Sequence, residues 1–299
     1  MKNRSLSLVS AAALLLVVGF AGSALAQISA STRYERGQSV QPVYEGWEQN
    51  PDGTYNMWFG YLNRNWAQRI TVPVGLENNF QPGNADRGQP TIFETADKRR
   101  LAFAFKVVLP ADWPKDRDLV WTLTANGVTL TAIGSLWPVW LVSDDVIATN
   151  RGSQRIYDPK STNTRPVVTE AAKGGTVAVG TPLTLTVGVT DDGQPRRRAA
   201  GELVPGGAGR GPAPAGGPLP SLRDALKVSW IQWRGPGVAS FNPSDVRVLE
   251  ADGKYSGTGV KATTTVTFDT PGTYVLRAFV QDMSLMTIPA DITIVVEKK

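Results

Sequence analysis

The sequence predicts an all-β chain built as two β-sandwich domains behind a cleaved export signal. Three observations carry this expectation. Short alternating runs of apolar and polar residues recur from residue 41 to the C-terminus. Clusters of Gly, Pro, Asn and Asp separate them, and no segment of 41–140 keeps a 3.6-residue apolar period for three turns. Many short strands with frequent turn signals are the pattern of a sandwich or a barrel.

The N-terminus reads as a signal peptide over residues 1–26. Lys2 and Arg4 precede an apolar run from Leu6 to Phe20, and Ala24-Leu25-Ala26 makes a small-residue cleavage site before Gln27. The run is shorter than the roughly 20 residues that span a bilayer, and no later segment is a transmembrane candidate. The expectation is an exported protein, periplasmic or extracellular, with a polar leader over 27–40.

Residues 41–140 form the first expected domain. Tyr55 to Tyr61 follows the turn signal Asn50-Pro51-Asp52-Gly53, and Gln68 to Val74 alternates with Pro73 near its end. Leu101, Phe103, Phe105 and Val107 are expected on one face of a strand. Leu119–Thr124 and Val128–Ile133 are joined through Ala125-Asn126-Gly127, and Asn-Gly between alternating runs is a strong hairpin signal. Residues 141–164 are polar and irregular and suit a linker.

Residues 165–299 form the second expected domain. Leu183, Leu185, Val187 and Val189 share a core face, as do Tyr274, Leu276, Ala278 and Val280, and then Ile292, Ile294 and Val296. The opposite face of the 274–280 strand, with Val275, Arg277, Phe279 and Gln281, is expected toward solvent. Between two strands, residues 193–220 hold 14 Gly or Pro in 28 positions. Such a composition buries too little apolar surface to offset its ordering entropy and reads as a flexible inserted loop.

Three fragments of this domain recur in order: Thr-Leu-Thr-Val-Gly-Val-Thr-Asp-Asp-Gly (184–193), Val-Ser-Trp with Gly-Pro-Gly (228–237), and Phe268 with Pro271-Gly272 and Tyr274. With them the domain resembles the polycystic-kidney-disease-type (PKD) and related Ig-like domains of bacterial secreted and cell-surface proteins. The likeness covers about 165–299, and the long insertion breaks its spacing. It implies that Trp230 fills the space between two sheets, that Tyr274 is a tyrosine-corner residue, and that Leu183 or Leu185 with Leu276 replaces a disulfide by apolar packing. It also implies an accessory module (spacer, adhesion or ligand-presenting) with no catalytic residues to carry over. Residues 60–65 and 83–90 resemble a recurring bacterial exported type of no stated role.

Composition removes most chemistry. The chain has no histidine and no cysteine, which excludes Ser-His-Asp and Cys-His hydrolysis and ordinary zinc, copper, haem and iron–sulfur sites. Its formal charge of +5 falls to +3 once Lys2 and Arg4 are removed; nothing in that balance points to nucleic acid.

Candidate sites remain. Seven of the nine tryptophans (47, 58, 66, 113, 121, 137 and 140) lie in the first domain. Indoles stack on sugar faces but equally fill cores. Trp66 beside Asn63, Arg64 and Asn65 is the candidate glycan contact; Arg87, in the loop Asp86-Arg87-Gly88, suits a ligand carboxylate or an ion pair within the domain. Asp191, Asp192 and Asp282 end strands on loops expected at one end of the second sandwich. Converging carboxylates suit calcium, while an Asp-Gly turn needs none. Asp144-Asp145 is a lesser candidate of the same kind. Arg196-Arg197-Arg198 with Arg210 suits an anionic partner or plain solvation. Glu45, Glu48, Glu77 and Glu94 are the carboxylates a glycoside hydrolase would need in pairs, and their spacing marks no pair. The reading is a non-catalytic binding or scaffolding protein, with a polysaccharide or another envelope protein as partner.

Overall fold

The computed structural model describes residues 33–143, 146–147, 164–192, 226–248, 259–282, 287 and 290–299. The expected signal peptide, the inserted loop with Arg196 to Arg198 and Arg210, and Asp144-Asp145 lie outside these residues. The described chain is all-β.

The first unit carries β1 (Val40–Gln49), β2 (Tyr55–Asn63), β3 (Ile70–Thr71), β4 (Asn78–Gln81), β5 (Ile92–Phe93), β6 (Arg100–Leu109), β7 (Leu119–Ala125) and β8 (Val128–Gly134). The sheet β1-β2-β6 faces the sheet β4-β7-β8, and β3 pairs with β5 at the side. Alternation explains the core between them: Tyr44, Met57, Phe59, Tyr61, Phe105 and Val107 meet Phe80, Trp121 and Leu123. Asn126 and Gly127 both have positive φ, 49° and 74°, at the tip of the β7–β8 hairpin. That pair of values is the turn an Asn-Gly dipeptide favours.

The expected common face of Leu101, Phe103, Phe105 and Val107 is interrupted. The β2–β6 register shifts between Phe59 and Tyr61, and Phe103 sits there at φ 46°, a left-handed backbone a Phe adopts only under constraint. The irregularity turns Phe103 to the other side of the sheet, where it packs with Trp58 and Ile147, while Phe105 and Val107 stay inside. Gly60 stands across from the bulge; a Cβ there would meet the Leu101 carbonyl at 2.5 Å.

The second unit carries β9 (Val167–Glu170), β10 (Gly175–Ala178), β11 (Leu183–Thr190), β12 (Leu226–Arg234), β13 (Ala239–Asn242), β14 (Asp245–Val248), β15 (Val260–Phe268), β16 (Gly272–Gln281) and β17 (Ala290–Glu297). A five-stranded sheet β10-β17-β16-β12-β14 covers a four-stranded sheet β13-β15-β11-β9, an Ig-like sandwich. Its core contains Trp230 together with Leu185, Val187, Val189, Tyr274, Leu276, Ala278, Val280, Ile292, Ile294 and Val296, the three expected faces. The Tyr274 hydroxyl donates to the Thr270 carbonyl at 2.8 Å across the corner.

The outer face of this sandwich is not a solvent face. Ile231 and Trp233 of β12 and Phe279 of β16 are buried in the core cluster of the first unit, with Val275 packed against them. Both β12 and β16 are therefore covered on two sides, which accounts for their nearly continuous burial. Polar groups tie the seam. The Trp233 indole donates to the Gly88 carbonyl at 2.9 Å, the Thr91 N–H to the Trp233 carbonyl at 3.0 Å, and Arg234 to both oxygens of Asp86 at 2.7 and 2.9 Å. Lys98 reaches the Trp230 carbonyl at 3.2 Å and Asp245 at 3.1 Å. Residues 141–147, expected as the start of a linker, pack on the first unit as far as they are described, with Ile147 1% exposed.

Trp233 is 1% exposed, so Trp233→Ala should lower the unfolding free energy by about 3–5 kcal/mol. Urea denaturation read by far-UV circular dichroism checks this. A loss below about 0.5 kcal/mol, the scale of a surface substitution, would mean that the seam contributes little to stability.

Candidate functional site

Asn63 and Asn65 are completely buried. The Asn63 side-chain amide donates to the carbonyls of Gln68, Phe93 and Glu94 at 2.9–3.1 Å, and its oxygen accepts from the Asn65 N–H and amide. Asn65 in turn exchanges two 2.7 Å bonds with the backbone of Gln38. These asparagines hold a loop together and do not reach a ligand at the surface. A buried amide with three or four partners satisfies backbone groups that the short strands leave unpaired. Asn78 does the same work deeper in the core, donating to the Val72 and Pro90 carbonyls and accepting from the Trp121 indole at 2.9 Å.

Trp66 is half-buried. The guanidinium carbons of Arg33 and Arg99 lie over its ring, 4.0 and 4.4 Å from the centroid. Cations already occupy the π-surface that a sugar would need. Arg64 is exposed. Arg87 donates from Nε to the Asn84 carbonyl at 3.1 Å and from Nη2 to the Pro82 carbonyl at 3.2 Å, so it braces its own loop. The structure thus does not gather Trp66, Asn63, Arg64, Asn65 and Arg87 into one surface.

Asp192 accepts from the N–H and hydroxyl of Thr164 at 2.7 and 2.8 Å, while Asp191 and Asp282 are largely buried. Among the described residues no group of three or more His, Cys, Asp or Glu side chains is placed to hold a metal ion. Glu48 accepts from Asn56 at 2.9 Å and from the Trp58 indole at 3.0 Å. Glu94 pairs with Arg69 at 3.0 Å, and Glu77 is exposed. Burial pushes the Glu45 carboxyl up, opposed by Arg100 and the Phe103 N–H. Among the described residues no hydrogen bond joins two of these four carboxyls.

Among the tryptophans, Trp58 and Trp121 are core, at 1% and 0% exposure, whereas Trp137 and Trp140 are 63% and 44% exposed. Trp137 precedes and Trp140 closes a short 3-10 turn, Pro138–Trp140, with Val139 and Leu141 also exposed. The turn is anchored from below. The Trp47 indole donates to the Trp137 carbonyl at 2.9 Å, the Val142 N–H donates to the Trp47 carbonyl at 2.9 Å, and Trp140 meets Tyr44 edge-on at 5.5 Å. Gly46, at φ 130°, makes room: a Cβ there would stand 2.6 Å from the Trp140 carbonyl. Nothing in the spacing of the tryptophans distinguishes this pair from the core rings. The Trp-Pro-Val-Trp run, apolar without alternation beside a proline, is the one signal that marks it.

A cleft of about 250 Å³ opens between the two units, lined by Trp58, Phe105, Lys106 and Arg87 from the first and Arg277 and Asp291 from the second. Among the described residues no helix is long and apolar enough to cross a membrane.

No family model matches the sequence, and no curated protein matches it either. Solved structures that superpose include domains 4 and 5 of the S-layer protein SbsC, at 11% identity and TM-score 0.24 over 60% of this chain and 65% of that one, just under two thirds of its length. The D00-D0 domain of intimin matches at 13% identity and TM-score 0.24, over 86% and 99%. The N-terminal Ig1-2 module of the Drosophila receptor protein tyrosine phosphatase DLAR matches at 8% identity and TM-score 0.25, over 87% and 100%. Superpositions this loose carry no argument about activity.

Two carboxylates at the seam set an acid limit. Hydrogen bonds from Arg234 hold Asp86 below the usual carboxylate range. Burial alone would raise Asp245, but the Ser229 hydroxyl and Lys98 outweigh it and the carboxyl is also held low. Each contributes stability that is present above the unfolded value of about 4 and is lost as pH falls through the lower folded value. Thermal melts should therefore drop as pH falls below about 4, and Asp86→Asn with Asp245→Asn should flatten that fall. Identical pH slopes for the double variant and the parent would contradict this.

Proposed function

We propose that this chain is an exported, non-catalytic binding and scaffolding protein. Its first unit presents a contact surface for an extracellular or envelope glycan, and its second unit is the support. The N-terminal basic, apolar and Ala-Leu-Ala segments support export. The scattered carboxyls and the lack of histidine and cysteine support a role without catalysis.

The observation that carries the binding reading is the anchored, exposed indole pair Trp137 and Trp140. Large aromatic rings held outward on a fixed turn cost little ordering entropy when they engage a ligand, and their faces suit sugar C–H surfaces. Trp137 and Trp140 thus replace Trp66 as the glycan contact. The second reading, a protein-interaction module of an envelope assembly, is favoured by Val139 and Leu141, which extend the indoles with aliphatic surface at 79% and 57% exposure.

Affinity electrophoresis across a glycan panel separates the two. The expected outcome is retardation on at least one polysaccharide, lost in Trp137→Ala and Trp140→Ala, with the thermal melt unchanged in Trp137→Ala, whose ring is 63% exposed, and only slightly lowered in Trp140→Ala, which gives up its edge contact with Tyr44. Migration unchanged on every glycan would sink the glycan reading and leave the protein contact.

A further inference from the structure

We infer that the cleft between the two units binds a small carboxylate-bearing ligand of about monosaccharide size, received by Lys106 and Arg87. This is a second site: the Trp137–Trp140 turn is not part of its lining, and the inference stands on charge and geometry independent of the proposed glycan contact.

Three cationic side chains, Arg87, Lys106 and Arg277, share the cleft with one carboxylate, Asp291. Asp291 is fully engaged, since its two oxygens accept from Nε and Nη2 of Arg277. Arg277 is thereby compensated, and it is held still by the Ala104 carbonyl at 3.0 Å and by stacking 3.5 Å over the Trp233 ring. Among the described residues the remaining two cations have no carboxylate partner. Among the described residues Lys106 forms no ion pair; its ammonium lies 5.7 Å over the Trp58 ring. Arg87 uses Nε and Nη2 on the Asn84 and Pro82 carbonyls, which leaves Nη1 without a protein partner among the described residues. The adjacent carboxylate, Asp86, is already spent on Arg234 and the Gly88 N–H.

Two cations without a carboxylate partner at the mouth of an open cleft attract an anion, and the apolar walls of Trp58 and Phe105 behind them reduce the solvent that competes for it. A guanidinium edge with a free N–H and a mobile ammonium together match the two oxygens of a carboxylate. The volume exceeds what a bare inorganic oxyanion fills, which leaves room for a ring behind the charged group.

Isothermal titration calorimetry of the purified chain at low ionic strength, with glucuronate as probe, tests this. The expected result is a single saturable site that weakens as salt is raised and loses affinity by roughly ten- to a hundredfold in Lys106→Gln and in Arg87→Gln. Lys106 is exposed, so its variant keeps the fold, which a thermal melt verifies. Trp137→Ala should leave the affinity unchanged, so failure here and failure of the glycan contact remain distinguishable. Equal binding of glucose, binding of inorganic sulfate as tight as glucuronate, or glucuronate affinity unchanged in both variants would each overturn the inference.

Discussion

The structure depends on one sheet whose two faces serve two cores. β12 and β16 turn Trp230, Leu276, Ala278 and Val280 into their own sandwich and Ile231, Trp233 and Phe279 into the neighbouring one. Arg277 sits in the middle of that second face and is 7% exposed. An isolated charge there would be untenable, and burial does depress its proton affinity. It is tolerated because every favourable term for a guanidinium is present at once: a carboxylate fork from Asp291, a carbonyl from the facing unit and an indole beneath it. Deleting either the Trp233 ring or the Asp291 fork removes a term that the remaining ones do not replace.

The seam also organises what lies around it. The loop between β4 and β5 is irregular, yet it is pinned at Gly88 by the Trp233 indole, at Gln89 by Arg234 and at Asp86 by the same guanidinium. This brings Arg87 to the rim opposite Arg277 and Asp291. The cleft is thus a consequence of docking, with one wall from each unit. Its shape should be no more mobile than the interface that builds it.

Much of this was legible in the sequence and the reasons for the rest are physical. Period-2 alternation located the strands and the inner faces, since a half-buried strand writes its orientation into every second residue. The same rule misassigned the far side of β16. Val275, Arg277, Phe279 and Gln281 mix one charge and one amide with apolar groups, and alternation cannot tell a mixed face toward water from a mixed face toward another domain. The signal that distinguished them was on the partner strand, where Ile231 and Trp233 make an outer face too apolar for solvent. Phe103 failed for another reason: a register shift resets the alternation, and nothing in Leu-Ala-Phe-Ala-Phe announces a left-handed residue. Asn63 and Asn65 looked like surface polar residues because amides usually are; their burial follows from backbone groups left over between very short strands, which only the three-dimensional pairing reveals.

The seam bears on the functional reading as well. A free Ig-like sandwich offers two outer sheet faces to partners. Here most of the β12–β16 face is covered by the first unit, and what it leaves open is the Arg277 edge of the cleft. What remains outward on the first unit is different in kind: an indole pair raised on a 3-10 turn, fixed by the Trp47 hydrogen bond and by the space over Gly46. The outward part of such a rigidly held apolar surface adds nothing to stability. It costs hydration in the free protein, and that cost is recovered only when something covers it.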